Sequence, residues 1–273
     1  MEIQWALVLF TVISGAGAWL FAFSMLGYLL KKNETPSKME AIISLALMVV
    51  GGCMSVMHLS HVDRILEALN HPTSGIFIEA AMIGVLCIIL AVYLIMLARG
   101  TSEKARTIVG IFGLLMGIVF TYACGSSYMM EARPAWQTVT LPLAYLGTAA
   151  AAGAGLNLLL KAVQKAEHPA VSFAGLLSIV GGALGAILAA AFCISAGSYI
   201  AESQNGTMTW VILLFVTTVV VIICGVVALK QPKNTLTLGV VALVAGLIAA
   251  IALRIVMWLI GTPFMDFFLM ALD

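Results

Sequence analysis

The sequence predicts an all-α integral membrane protein, a bundle of eight transmembrane helices with both termini on the periplasmic side. Three observations predict it. Of 273 residues, 63% are apolar and only 9% charged, with a mean hydropathy of +1.14. A soluble domain carries about 25% charge and about 45–50% apolar residues. A larger core cannot absorb the excess, because a soluble chain still needs a polar surface, so the remaining solvent is lipid. This excludes a soluble enzyme, a nucleic-acid binder and a disordered chain. The second observation is the length of the apolar runs, and the third is the distribution of Lys and Arg between them.

A helix crossing the ~30 Å hydrocarbon layer needs roughly 20 apolar residues. Eight segments meet this, at about 4–30, 39–59, 75–98, 106–127, 138–160, 172–197, 209–229 and 236–261. Lipid leaves an open strand edge without partners, so all eight are helices. The connections are short and polar, and Pro36, Pro72, Pro134, Pro169 and Pro232 mark them. Nothing remains for a soluble domain, so 1–273 reads as one transmembrane unit. No Lys or Arg precedes the first run, which argues against a cleavable signal. One side of the bundle collects Lys31, Lys32, Lys38, Arg99, Lys104, Arg106, Lys161, Lys165, Lys230 and Lys233. The other holds Arg64 and Arg133. The richer side is cytoplasmic by the positive-inside rule, and an even number of spans then places both termini in the periplasm. The five cysteines lie one per apolar segment, with no CxxC and no haem-attachment run, and read as small apolar residues.

The polar residues that need explaining crowd onto the outer face. The second span runs into Met57-His58-Leu59-Ser60-His61-Val62-Asp63-Arg64, which holds two of the four histidines; a third, His71, follows. Val62, Ile65, Leu66 and Leu69 recur at helical spacing, which predicts a short amphipathic helix in the outer interface. His58 has apolar sequence behind it and should point into the bundle, where a neutral imidazole can accept a proton near pH 7. Glu79 lies about four residues into the third span, and Arg254 about seven residues from the outer end of the last. They are the only charged residues clearly within the spans. Charges at such depth are costly and usually paired or functional; these two approach from the same side and could pair. The loop after the fourth span contributes Tyr128, Arg133, Pro134 and Trp136, with Trp136 expected as an interfacial anchor. A base, a carboxylate, two arginines and an aromatic at the edge of an apolar bundle suit a lipid-soluble carrier of two electrons and two protons. The constellation by itself says amphiphile or proton site.

These residues resemble the DmsC family, the membrane anchor subunits of bacterial dimethyl sulfoxide reductases. The resemblance rests on eight spans of this size, on His58-Leu59 followed by Arg64 and Asn70, and on Glu79 opening the third span. Tyr128, Pro134 and Trp136 in the outer loop and Arg254 in the last span add to it. It implies an anchor in the bacterial inner membrane that binds and oxidises menaquinol on the periplasmic side. Electrons would pass to an iron–sulfur subunit (DmsB-like) with four clusters, and from there to a molybdopterin catalytic subunit (DmsA-like). In the family the residues matching His58 and Glu79 are associated with quinol binding, and Arg64 matches the pattern. With Trp136 and Arg254 from the constellation they make the expected quinol-binding set, His58 and Glu79 being its catalytic pair. No haem or metal is implied for this chain, and none of its histidines lies deep enough in a span to ligate a buried haem. His61 and Asp63 depart from the family, which often has Gly, Ser or Pro there.

Two other readings fit the residues. One is a secondary transporter, although transporters place their sites at the midplane on helices broken by Gly and Pro. The other is a passive anchor without a quinol site.

Overall fold

The computed structural model describes residues 3–30, 38–57, 70, 73–203, 206–231 and 234–261. Eight helices long and apolar enough to cross a membrane are found among them, and no strand occurs in these residues. In chain order the helices are α1 (Trp5–Leu29), α2 (Lys38–Met57), α3 (Gly75–Ala98) and α4 (Glu103–Ser126). A one-turn 3-10 helix (Pro134–Trp136) leads to α5 (Thr140–Val163) and α6 (His168–Ser195). A short α7 (Gly197–Glu202), α8 (Thr207–Lys230) and α9 (Thr235–Ile260) complete the order. The expected spans agree within a few residues, and the differences have local causes. The Ser102 side chain accepts the Ala105 N–H and starts α4 at Glu103, before the first apolar residue that marks the run in the sequence. Pro169 in the first turn similarly allows α6 to begin at His168, because its missing N–H has no helical partner there anyway. The turn between α3 and α4 takes only four residues, which Gly100 permits with φ +63°. The expected amphipathic helix at 62–69 lies outside the described residues.

The bundle divides into two groups that meet along α1 and α5. On one side α1 packs against α2 and α4, with α3 against α2 and α4; on the other, α5, α6, α8 and α9 pack together. In lipid no hydrophobic drive brings helices together, so close packing of small residues must do it. At the α5–α9 crossing, a Cβ on Gly155 would stand 2.6 Å from the Ala242 carbonyl, and one on Gly246 2.7 Å from the Ala152 Cα. The run from Ala149 to Ala154 is buried throughout, which makes α5 the central helix.

α3 is the opposite case, with most of its surface outward. Its buried positions are Glu79, Leu86, Leu90 and Tyr93, spaced by seven, four and three residues. That is one helical stripe, with a carboxyl near the N-terminal end of α3 and a phenol near its C-terminal end.

One expectation fails here. Glu79 and Arg254 are not the only charges within the spans, because Lys161 of α5 reaches Glu40 of α2 at 2.6 Å, both of them buried. Lys161 reads as a loop charge because it falls in the last turn of its helix, yet the helix end is packed rather than open. The excess of positive charge at that end survives its removal.

Candidate functional site

One end of the seam between the two groups gathers polar side chains from α1, α3, α4, α5 and α9. Glu79 sits in the second turn of α3, behind a helix start that the Ser74 hydroxyl caps by accepting the Phe77 N–H. It is 6% exposed, and its Oε1 has no hydrogen-bond partner among the described residues. Ser127, just past the end of α4, lies within hydrogen-bonding reach of the carboxyl. Cys124, Tyr128 and Tyr145 all fall within electrostatic reach of Glu79.

Arg254 is 1% exposed. Its Nε donates to the Thr11 hydroxyl at 3.2 Å, and its Nη1 donates to the Thr148 hydroxyl at 2.9 Å and the Ala250 carbonyl at 3.1 Å. The guanidinium stacks on the Tyr145 ring, 3.9 Å from its centroid, a cation–π geometry. The expected pairing with Glu79 is not made: every partner of the guanidinium is a neutral oxygen or a ring face. Burial between hydroxyls of α1 and α5, rather than salt-bridge formation, fixes this cation.

Four aromatic rings wall the site. Tyr128 packs edge-on against Trp136 and Trp258, and tilted against Tyr145, with centroids 5.7–6.2 Å apart. Trp136 and Trp258 meet edge-on at 5.3 Å. Burial lifts the Tyr128 phenol well above its usual range, so it stays neutral across physiological pH. Trp136 is not the interfacial anchor the loop suggests: it is 1% exposed and its indole N–H donates to the Met257 carbonyl at 2.8 Å. The 3-10 turn that carries it is tied to the end of α9 by Arg133, which donates to the Gly261 carbonyl and lies over the indole. The Tyr145 hydroxyl meets only the Met257 sulfur, at 3.3 Å, which is a weak acceptor.

Glu79, Trp136 and Arg254, three of the five expected site residues, therefore come together at one end of the bundle. His58 and Arg64 lie outside the described residues; His58 directly follows Met57, the last residue of α2. Sequence reasoning missed Thr11, Cys124, Tyr145, Thr148 and Trp258. The available signal was helical spacing: Trp258 is one turn from Arg254, and Thr148 one turn from Tyr145.

A family model for the DMSO reductase anchor subunit (DmsC) matches residues 1–270. The chain belongs to the DmsC family. It is also similar to the C subunit of the anaerobic dimethyl sulfoxide reductase of Haemophilus influenzae, with 28% identity over 188 residues, which cover 67% of each protein. Membership makes the protein a multi-pass membrane anchor subunit of a DMSO reductase-type complex, in agreement with its eight apolar helices.

Proposed function

We propose that this anchor binds menaquinol at the Glu79–Arg254 site, oxidises it there, and passes the electrons to an iron–sulfur subunit that serves a molybdopterin reductase. The observation that carries the reading is that a buried carboxyl and a buried guanidinium share one aromatic-walled site without neutralising each other. Burying an unmatched charge costs several kcal/mol, so such groups are retained in a membrane mainly where a ligand or a proton completes them. A quinol head supplies both complements. One hydroxyl can donate to Glu79, and the ring and its oxygens can lie among the aromatic walls near Arg254.

Oxidation of the quinol to the quinone releases two electrons and two protons. Glu79 accepts one hydroxyl proton and the neutral His58 imidazole the other, while the electron pair leaves for the iron–sulfur partner. The His58 proton moves first, while Glu79 is still a carboxylate and stabilises the imidazolium. Glu79 takes the second proton, and Asp63 and Glu67 in the adjoining loop offer both protons a route to water. Arg64 belongs to the same outer loop and completes the proposed quinol-binding set. The polar pair is then on the periplasmic face of the bacterial inner membrane, with both termini on that side, because the Lys- and Arg-rich end is cytoplasmic. No metal or haem belongs to this chain in the proposal. The continuity of all eight spans and the lack of a charge near the middle of any described span weigh against a transporter.

The test is kinetic. His58→Arg and Glu79→Lys should leave the complex assembled, with clusters still reduced by artificial donors, while menaquinol oxidation falls about 100-fold or more, the scale of a lost proton acceptor. Wild-type oxidation rates in both variants would make the pair structural.

A further inference from the structure

The opposite end of the bundle holds a second polar assembly that quinol oxidation does not use. Glu40 of α2 and Lys161 of α5 form their buried pair there, and the Ser24 hydroxyl of α1 donates to the other carboxylate oxygen. α2 and α5 run in opposite directions, so Ser44, four residues after Glu40, and Asn157, four before Lys161, each sit one turn further in. At 1.5 Å per residue that is ~6 Å deeper, on the same two faces. Ser44 is 0% and Asn157 1% exposed, and neither the Ser44 hydroxyl nor the Asn157 amide nitrogen has a hydrogen-bond partner among the described residues.

Tyr93, at the other end of the buried stripe of α3 from Glu79, is also 1% exposed, and its hydroxyl has no partner among the described residues. It lies within electrostatic reach of Glu40, Arg106 and Tyr28. Tyr28 continues the series outward: its hydroxyl donates to Glu103 at 2.6 Å and receives the Thr107 hydroxyl, at the exposed start of α4. Polar groups therefore run from the surface to the buried pair, and the unpartnered atoms mark the breaks between them.

Buried polar atoms are almost always satisfied, and where protein supplies no partner an ordered water does. The groups at the breaks are a hydroxyl, an amide N–H and a phenol, a mixture of donors and acceptors that suits water. Glu40 repels an anion, and no cluster of metal-ligating residues occurs among the described residues. About one turn deeper than Ser24 and Ser44, α1 and α2 carry Leu20 and Leu47, which pack in one apolar cluster with Leu156.

We propose that this end of the bundle is a water-binding, proton-exchanging site, in which ordered water held by Ser44, Tyr93 and Asn157 joins the Glu40–Lys161 pair to the aqueous phase at Tyr28 and Glu103. The site is separate from the Glu79–Arg254 region and stands whether or not menaquinol binds there. The experiment is deuterium exchange of the pair, followed by infrared spectroscopy on the intact complex in nanodiscs, with the bands assigned through Lys161→Met and Glu40→Gln. The wild-type pair should deuterate within seconds of transfer to D2O. Ser44→Ala with Asn157→Leu should slow this at least tenfold. Tyr93→Phe, which keeps the ring packing, should also slow it and serves if the double variant does not fold. Exchange in the wild type no faster than that of the α5 backbone amides, or a rate that no folded variant changes, would overturn the proposal.

Discussion

At the scale of single residues, Arg254 shows how this protein keeps a charge inside a membrane without a carboxylate. Its guanidinium is held by Thr11 of α1, Thr148 of α5 and the Ala250 carbonyl, over the face of Tyr145. Each hydroxyl is therefore a partner of a charged group, and hydrogen bonds of that class contribute about 1.5–3 kcal/mol. Thr148→Val keeps shape and volume but removes one of them. The expected result is a fully assembled protein whose thermal unfolding midpoint falls by several degrees, with a greater fall when Thr11→Val is added. An unchanged midpoint in the double variant would mean that the stacking on Tyr145 and the Ala250 carbonyl hold the guanidinium unaided. Glu79 and Arg254 were legible in the sequence because a charge inside an apolar run is conspicuous. Thr11, Thr148 and Tyr145 were not, because hydroxyl residues in a span usually bond their own helix backbone, as Thr11 and Thr148 also do here.

At the scale of elements, the spans could be read because lipid imposes both length and helicity, whereas the faces could not. Burial in α3 follows a single stripe, yet its sequence is apolar on every side, so no amphipathic pattern separates lipid from protein. Lys161 misled for a related reason. A lysine in the last turn of a helix ordinarily extends to water, and only the neighbouring ends of α1 and α2, bearing Ser24 and Glu40, turn it inward. Trp136 misled because Pro-Ala-Trp in a loop describes an anchor equally well until the end of α9 is seen to cover it. The small residues of α5 were readable as a packing surface, and the crossing with α9 gives them a testable role. Gly155→Leu would force its side chain into the Ala242 backbone, so α5 and α9 could not keep their separation. The accumulated, folded anchor in membranes should fall several-fold, whereas Gly84→Leu, where a Cβ meets nothing within 4 Å on α3, should be tolerated. Equal accumulation of the two variants would contradict this account of the seam.

At the scale of the whole molecule, two helix groups joined along α1 and α5 place a polar site at each end, with small-residue packing between them. α3 touches both, Glu79 at one end of its stripe and Tyr93 at the other. The family of the protein was legible from His58, Arg64, Glu79 and the outer loop, since those residues carry the spacing, and the match over 1–270 agrees. The assembly at Glu40 was not legible, because its members lie on separate helices at ordinary polar positions near span ends. The central claim is that a quinol head sits among Glu79, Arg254 and the Tyr128–Trp136–Trp258 wall. The most direct measurement is photolabelling of the intact complex in membranes with a menaquinol analogue carrying a photoreactive group on its ring, followed by mapping of the modified peptides. The account predicts labels in the first turns of α3, the segment from Tyr128 to Trp136 and the outer end of α9, all displaced by excess menaquinol. Displaceable labelling confined to the Lys- and Arg-rich end of the bundle would contradict it.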